Sequence, residues 1–221
     1  DETAALFPDS FEESELGIIP KGWSVKPIHE ELEICGGGTP STKNPEFWDG
    51  DYAWTTPKDL ANLKSLLNIE TERKLTKAGV SKISSKLLDK FSVLMSSRAP
   101  IGYIAISGVP TSINQGFIGF PKQERYSPLF ISNWLVFNMH EIKSRSGGAT
   151  FAEINRTSFR TIPFLRPSDQ LLTLFSNCAS SILEQLLTLT ESTATLISLR
   201  ENLLPKLISG ELQIPKELLV S

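Results

Sequence analysis

"PSDQLLTLFSNCASSILEQLLTLTESTATLISLRENLLP" occupies residues 167–205, and its reading decides the architecture. Glycine is absent from it and proline stands only at its two ends. Leu172, Phe175, Ala179, Ile182, Leu186, Leu189, Thr193, Leu196 and Leu203 follow alternating steps of three and four, with Arg200 in the remaining position. Such spacing is a heptad seam, the pattern that lets two helices interlock. Pro167 suits a first turn, Ser168 or Asp169 can cap it, and Pro205 limits its continuation. About 38 residues rising ~1.5 Å each make a rod of roughly 57 Å, longer than a core helix needs.

Two arrangements would use that rod. It can zip against a second long helix, with Phe175, Ile182, Leu186, Leu189, Leu196 and Leu203 as the pairing residues. It can instead lie back on its own domain, an option to which Leu171, Leu174, Leu183, Leu187 and Leu199 would contribute. The persistence of the register over more than four repeats favours the partner helix. Thr193 and Arg200 interrupt the seam, as polar residues that set register do.

Upstream the grammar differs. Residues 91–96 (FSVLMS), 101–106 (IGYIAI), 116–120 (GFIGF) and 161–165 (TIPFL) are short apolar, β-rich runs between turn signals and predict strands. Residues 127–143 predict a helix with Phe130, Trp134, Phe137 and Ile142 near one face, and residues 75–88 two short turns. The fold class expected is therefore α+β: a loop-rich globular domain with short mixed or antiparallel strands, followed by one long coiled-coil-type helix. Residues 1–16 read as a linker, 17–166 as the globular domain, and 167–221 as the helix and its tail.

The most loop-like stretch is "GGGTPSTKNPEFWDGDYAWTTPKDL", residues 36–60. Its glycines permit unusual backbone angles, its prolines fix others, and Trp48 and Trp54 supply large amphipathic plates. The mixture predicts an ordered loop. Pro40, Pro45 and Pro57 would stiffen it and the tryptophans would anchor it, limiting the entropy lost on binding.

The 221 residues are 40% hydrophobic and 21% charged, a globular composition, and the formal charge is −3. That average hides a segregation. Residues 1–16 hold six acids and no base, residues 17–166 carry a surplus of six positive charges, and residues 167–221 are three short of neutral. Local rather than total charge governs attraction to phosphate, so the central region is a candidate for nucleic acid. No apolar run reaches the roughly 18 residues of a membrane span, and the opening lacks the pattern of a signal peptide; a cytoplasmic protein is expected.

The motif search for catalysis is negative. No GxxxxGK[ST] phosphate loop occurs, and GGG at 36–38 is not a dinucleotide turn. A methyltransferase would need a cofactor turn and an Asn/Asp-Pro-Pro-aromatic motif, neither of which is found. Two cysteines and two histidines make no zinc pattern, and His29 and His140 read as structural or solvated. Asp49 and Asp51 are the one pair that could be asked to hold a metal. What the domain does contain is five turns rich in hydrogen-bonding side chains. They are Ser41 to Asn44; Thr55, Thr56 and Lys58; Ser96, Ser97 and Arg98; Thr111, Ser112, Asn114 and Gln115; and Arg145, Ser146 and Thr150. These are the residue types that bind phosphates and base edges.

The order of "ELGIIPKGW" (15–23), the 36–60 stretch, "SSRAPIGYIAI" (96–106), "SINQGF" (112–117), "GGATFAEI" (147–154) and a long helix ending "LRENLLPKLISGEL" (199–212) resembles the specificity subunit of type I restriction-modification systems. The resemblance implies a non-catalytic target-recognition domain plus its conserved helix, reading one half of a bipartite double-stranded DNA site. It implies as partners methyltransferase subunits, a restriction (translocase) subunit, and a second long helix from another copy or from the missing half of the subunit. S-adenosylmethionine, ATP and Mg are expected on those partner subunits and none in this chain. The opening 17 residues resemble the link after a central helix, so the chain reads as the C-terminal half of a full subunit, with a naturally short, self-pairing half subunit as the competing account. Gly22-Trp23, Thr39-Pro40, Trp54, Gly102 and Asn114-Gln115-Gly116 would hold the scaffold. The candidate DNA contacts are Lys43, Lys58, Arg98 and Arg145, with Thr56 and Gln115 as readers. A homodimeric assembly protein without sequence reading is the competing account, and a metal enzyme built on Asp49 and Asp51 a third.

Overall fold

A computed structural model describes residues 7–148 and 152–213. Thr150, the first six residues of the expected linker and the tail from residue 214 lie outside them.

The fold is built on a five-stranded sheet in the order β4 (Cys35–Gly36), β11 (Phe117–Phe120), β8 (Val93–Ser96), β9 (Ile104–Ser107), β6 (Leu67–Asn68). All but the last pair are antiparallel. Side chains alternate across it as the two-residue period of a strand requires. Val93, Met95, Ile106, Ile118 and Phe120 enter the main core, whereas Leu94, Ala105 and Phe117 enter a second core with Leu60, Leu88 and Ile113. Both faces are thus covered, and this is why these strands read as continuous apolar runs.

A second sheet sets β5 (Trp48–Thr55) between β10 (Thr111–Ile113), parallel to it, and β7 (Lys74–Leu75), antiparallel. β5 lies within the stretch whose composition predicts a loop. Its Asp-Gly-Asp centre is poor strand material, and the pairing is irregular between Trp48 and Tyr52, where Asp49 has a φ of 59°. The tryptophans do anchor the segment: Trp48 and Trp54 meet edge to face at 5.0 Å, and their indole nitrogens donate to the carbonyls of Ser41 and Gly38, each at 3.1 Å. Arg73 lies 3.5 Å over the Trp48 ring.

Of the predicted strands, residues 101–106 are shortened to β9 because the chain first turns at Gly102, whose φ is +106°. Residues 161–165 form β12 (Pro163–Arg166), paired with β3 (Ser24–Pro27). A hairpin, β1 (Phe11–Ser14) and β2 (Gly17–Pro20), crosses the boundary drawn at residue 16. The helix expected over 127–143 is two, α4 (Pro128–Phe137) and α5 (Met139–Ser144), separated where Asn138 leaves helical geometry. Three short helices complete the domain: α1 (Ile28–Glu31), α2 (Pro57–Ala61) and α3 (Lys77–Ser81), with α6 (Arg156–Arg160) preceding β12.

The long helix α7 (Asp169–Ile208) has 40 residues, capped by the Ser168 hydroxyl accepting from the Leu171 amide. It runs through Pro205 rather than stopping there; the missing N–H falls within the last turn, where little helix remains to be disrupted. The rod lies back on its own domain along its first half and leaves it beyond. Leu172, Ala179, Leu183 and Leu187 are buried against the domain, and Leu186 is half-buried there. From Glu191 to Lys206 every residue is exposed. Phe175 packs edge-on against Phe130, 5.9 Å away, yet keeps an open flank. With Ile182, Leu189, Leu196 and Leu203 it makes an exposed apolar strip at seven-residue intervals.

Candidate nucleic-acid interface

Three strand ends converge. β5 and β10 run parallel with Thr55 opposite Ile113, so both chains leave the sheet on one side, and the Asn114 amide donates to the Thr55 carbonyl at 3.1 Å. β8 ends at Ser96 opposite Phe117, the first residue of β11. The turns 56–58, 97–99 and 114–116 therefore emerge together.

The glycine-rich segment closes over them. Gly38 donates to the Ile113 carbonyl at 2.9 Å, and Gly37 passes so close that a Cβ there would stand 2.1 Å from two backbone oxygens, those of Ile113 and Asn114. Only glycine fits. The Asn114 side chain accepts from the Gly116 amide at 2.8 Å, the Gly116 carbonyl accepts from Ser97 at 2.8 Å, and the Ser97 carbonyl from Ile154 at 3.0 Å. Four segments distant in sequence are stitched by their own backbones, which leaves their side-chain tips free for other work.

Among the predicted contacts, Arg98 and Gln115 are brought together at this edge. Gln115 is exposed and its side-chain oxygen accepts from the Thr39 hydroxyl. Arg98 faces Glu153, with Nη1 3.6 Å from the carboxylate, and its side chain remains over a third exposed. Thr56 begins α2, where both its hydroxyl and its amide donate to the Asp59 carboxylate, at 2.6 and 2.7 Å. Lys58 projects one residue beyond the Pro57 ring and is tied to Glu72 at 2.7 Å; that hydrogen-bonded carboxylate holds its ammonium above the usual lysine range. Lys43 is exposed on the loop that precedes the 3-10 turn Pro45–Phe47. Arg145 is engaged within the domain: its Nε bonds Glu141 at 2.6 Å and its Nη1 the Thr161 hydroxyl at 3.1 Å, joining α5 to the end of α6. The hydrogen bond from Arg145 in turn keeps the Glu141 carboxyl below the ordinary range.

Arg156, at the start of α6, was not singled out by sequence. Its guanidinium lies against Gly36, with Cζ 2.9 Å from where a Cβ would be. No spacing rule announces a contact of this kind, which joins residues 120 apart in the chain. Asp49 and Asp51 are both exposed, and among the described residues no three His, Cys, Asp or Glu side chains gather as a metal site would require. No helix among the described residues is long and apolar enough to cross a membrane.

A family model described as a type I restriction modification DNA specificity domain matches residues 20–197. The chain belongs to this family. Its relatives within the specificity subunits include that of the type I restriction enzyme MjaIX of Methanocaldococcus jannaschii, 41% identical over 164 residues, covering 72% of this chain and 38% of the relative. The HindI specificity subunit of Haemophilus influenzae is 26% identical over 221 residues, covering 96% and 47%. The HsdS subunit of Thermoanaerobacter tengcongensis shares the fold, with a TM-score of 0.56 at 17% identity over 95% of this chain and 49% of that one. This specificity-domain chain thus spans less than half the length of the proteins it matches. The match of the family model ends within α7, so the domain and the packed part of the helix belong to one family unit.

Proposed function

We propose that this chain is a DNA-reading unit of a type I restriction-modification complex: it recognises one half of a bipartite duplex site and carries no catalytic chemistry of its own. The observation that carries this reading is the convergence of turns 56–58, 97–99 and 114–116 under the glycine segment, presenting Arg98, Gln115 and Lys58 at one edge of a rigid, backbone-stitched scaffold. Arginine, lysine and glutamine placed this way suit phosphates and base edges. Membership of a DNA specificity family supports the same reading.

The protruding half of α7 supports the second part of the proposal. Its apolar strip pairs with another long helix, from a second copy or from the other half of a full-length subunit, and the joined unit docks methyltransferase subunits and a restriction subunit. Methyl transfer with S-adenosylmethionine, and translocation with ATP and Mg, then belong to those partners. The assembly works in the cytoplasm, where the DNA it surveys is found.

Selection from a randomised duplex pool, with the methyltransferase partner present, tests the proposal. An enriched motif of a few base pairs, bound with steep salt dependence, is the expected result. Retention of every sequence alike would refute it.

A further inference from the structure

Two arginines in the interface rest against glycines. A Cβ at Gly116 would meet Arg98 Nε at 3.5 Å, and one at Gly36 would meet Arg156 Nε and Nη1 at 3.0 Å as well as Cζ at 2.9 Å. Gly36 lies in β4 opposite Ile118, two residues along β11 from Gly116. Backbone contacts join the two arginines' own segments too: Ile154 donates to Ser97, and Glu153 bridges to Arg98. Both guanidinium groups therefore sit on the same strand ends, one on each side of the start of β11.

They differ in what neutralises them. Arg98 has Glu153 at 3.6 Å, whereas Arg156 has no carboxylate within 4 Å among the described residues and its residue is exposed. A planar cation laid on bare backbone gives up little side-chain entropy when it binds, and without an internal counter-ion it attracts external anions. We propose that Arg156 contacts a backbone phosphate of duplex DNA, and that the space left by Gly36 positions it to do so. This assignment rests on the DNA-reading function proposed above. Because a phosphate is present at every step of a duplex, the contact adds affinity without sequence preference.

The test uses the whole chain and a labelled duplex of arbitrary sequence, titrated across a range of salt. Arg156→Ala is expected to weaken binding by about five- to tenfold near 0.1 M salt and to flatten the slope of log K against log salt by about 0.9. Arg156→Lys should recover most of the affinity. Gly36→Ala is the second arm: its backbone angles are ordinary, and the obstructing atoms are the far end of a flexible side chain, so the fold should survive while the guanidinium is displaced. It should reproduce much of the loss, and combined with Arg156→Ala it should add nothing further. Unchanged binding by Arg156→Ala, in a chain whose parent binds duplex, overturns the assignment alone; fully additive losses do the same. Failure of the unaltered chain to bind any duplex at low salt would overturn the DNA reading and this contact together.

Discussion

The Tyr126 hydroxyl donates to the Glu31 carboxylate across 2.6 Å, and this bond is the centre of the joint that holds α7 to the domain. The Glu31 side chain is 2% exposed, with Lys26, Arg125 and Arg166 placing nitrogens 3.7 to 3.8 Å from it. Arg166 also bonds Asp169, the first residue of α7, at 2.8 Å and so keeps that carboxyl below its usual range. Removing one partner of a buried network leaves the rest uncompensated. Glu31→Ala should therefore cost about 3 kcal/mol of stability, and Tyr126→Phe about 1 kcal/mol, both read from chemical denaturation.

The same phenol sets an alkaline limit. Burial, followed by the hydrogen bond to Glu31, raises the Tyr126 pKa above its ordinary value of 10.0. In the unfolded chain the phenol ionises near pH 10, while the folded chain resists, so the stability it contributes is intact below that pH and is lost as pH rises toward the folded value. Denaturation midpoints should fall above about pH 10, and less steeply in Tyr126→Phe.

The two cysteines should differ in reactivity. Burial, aided by Glu33, pushes the Cys35 thiol up to about 11, whereas Cys178 is exposed on α7. The thiolate is the reacting species, so at pH 8 a small alkylating reagent should label Cys178 well before Cys35. Peptide mapping over a time course reads the order directly.

Substitutions along α7 should separate folding from association. Ile182→Asp and Leu189→Asp fall on residues 57% and 65% exposed, so the domain should keep its stability while the proposed helix pairing is lost in sedimentation. Leu183→Asp and Leu187→Asp fall on the face buried against the domain and should each lower stability by several kcal/mol, since an unpaired charge cannot stay buried.

Gly37→Ala should be the most damaging single-carbon change in the interface. The added Cβ meets backbone oxygens that cannot swing aside, unlike the arginine tip beside Gly36. A loss of about 2 kcal/mol or more is expected from thermal melting, accompanied by weakened duplex binding as the 114–116 turn shifts.

The sequence announced what depends on period and composition. Fully buried strands such as β8 and β11 appeared as apolar runs, and α7 appeared as a heptad series opening at Pro167 and Ser168, although it runs past the limit expected at Pro205. Its division into a packed and a projecting half was not visible, because Leu172 and Leu196 occupy the same seam and differ only in whether the domain lies beside them. β5 was missed because Asp49, Gly50 and Asp51 satisfy strand geometry by a local irregularity instead of by propensity. At the interface, residue types pointed to Arg98 and Gln115, which the fold joins. Arg145 carried the same chemical signal, and its bonds to Glu141 and Thr161 could not be read from sequence because they are set by how α5 meets α6. Arg156 gave no signal, since its position depends on a glycine 120 residues earlier in the chain.

The opposed placement of Leu94 and its neighbours Val93 and Met95 has a wider consequence. A shift of β8 by one residue would exchange the contents of two separate cores, so every strand end beneath the interface is locked at a fixed height. Side chains at the tips of the turns can then be exchanged by evolution one at a time without the foundation noticing. A protein organised this way can change what its turns present while remaining, in its interior, the same molecule.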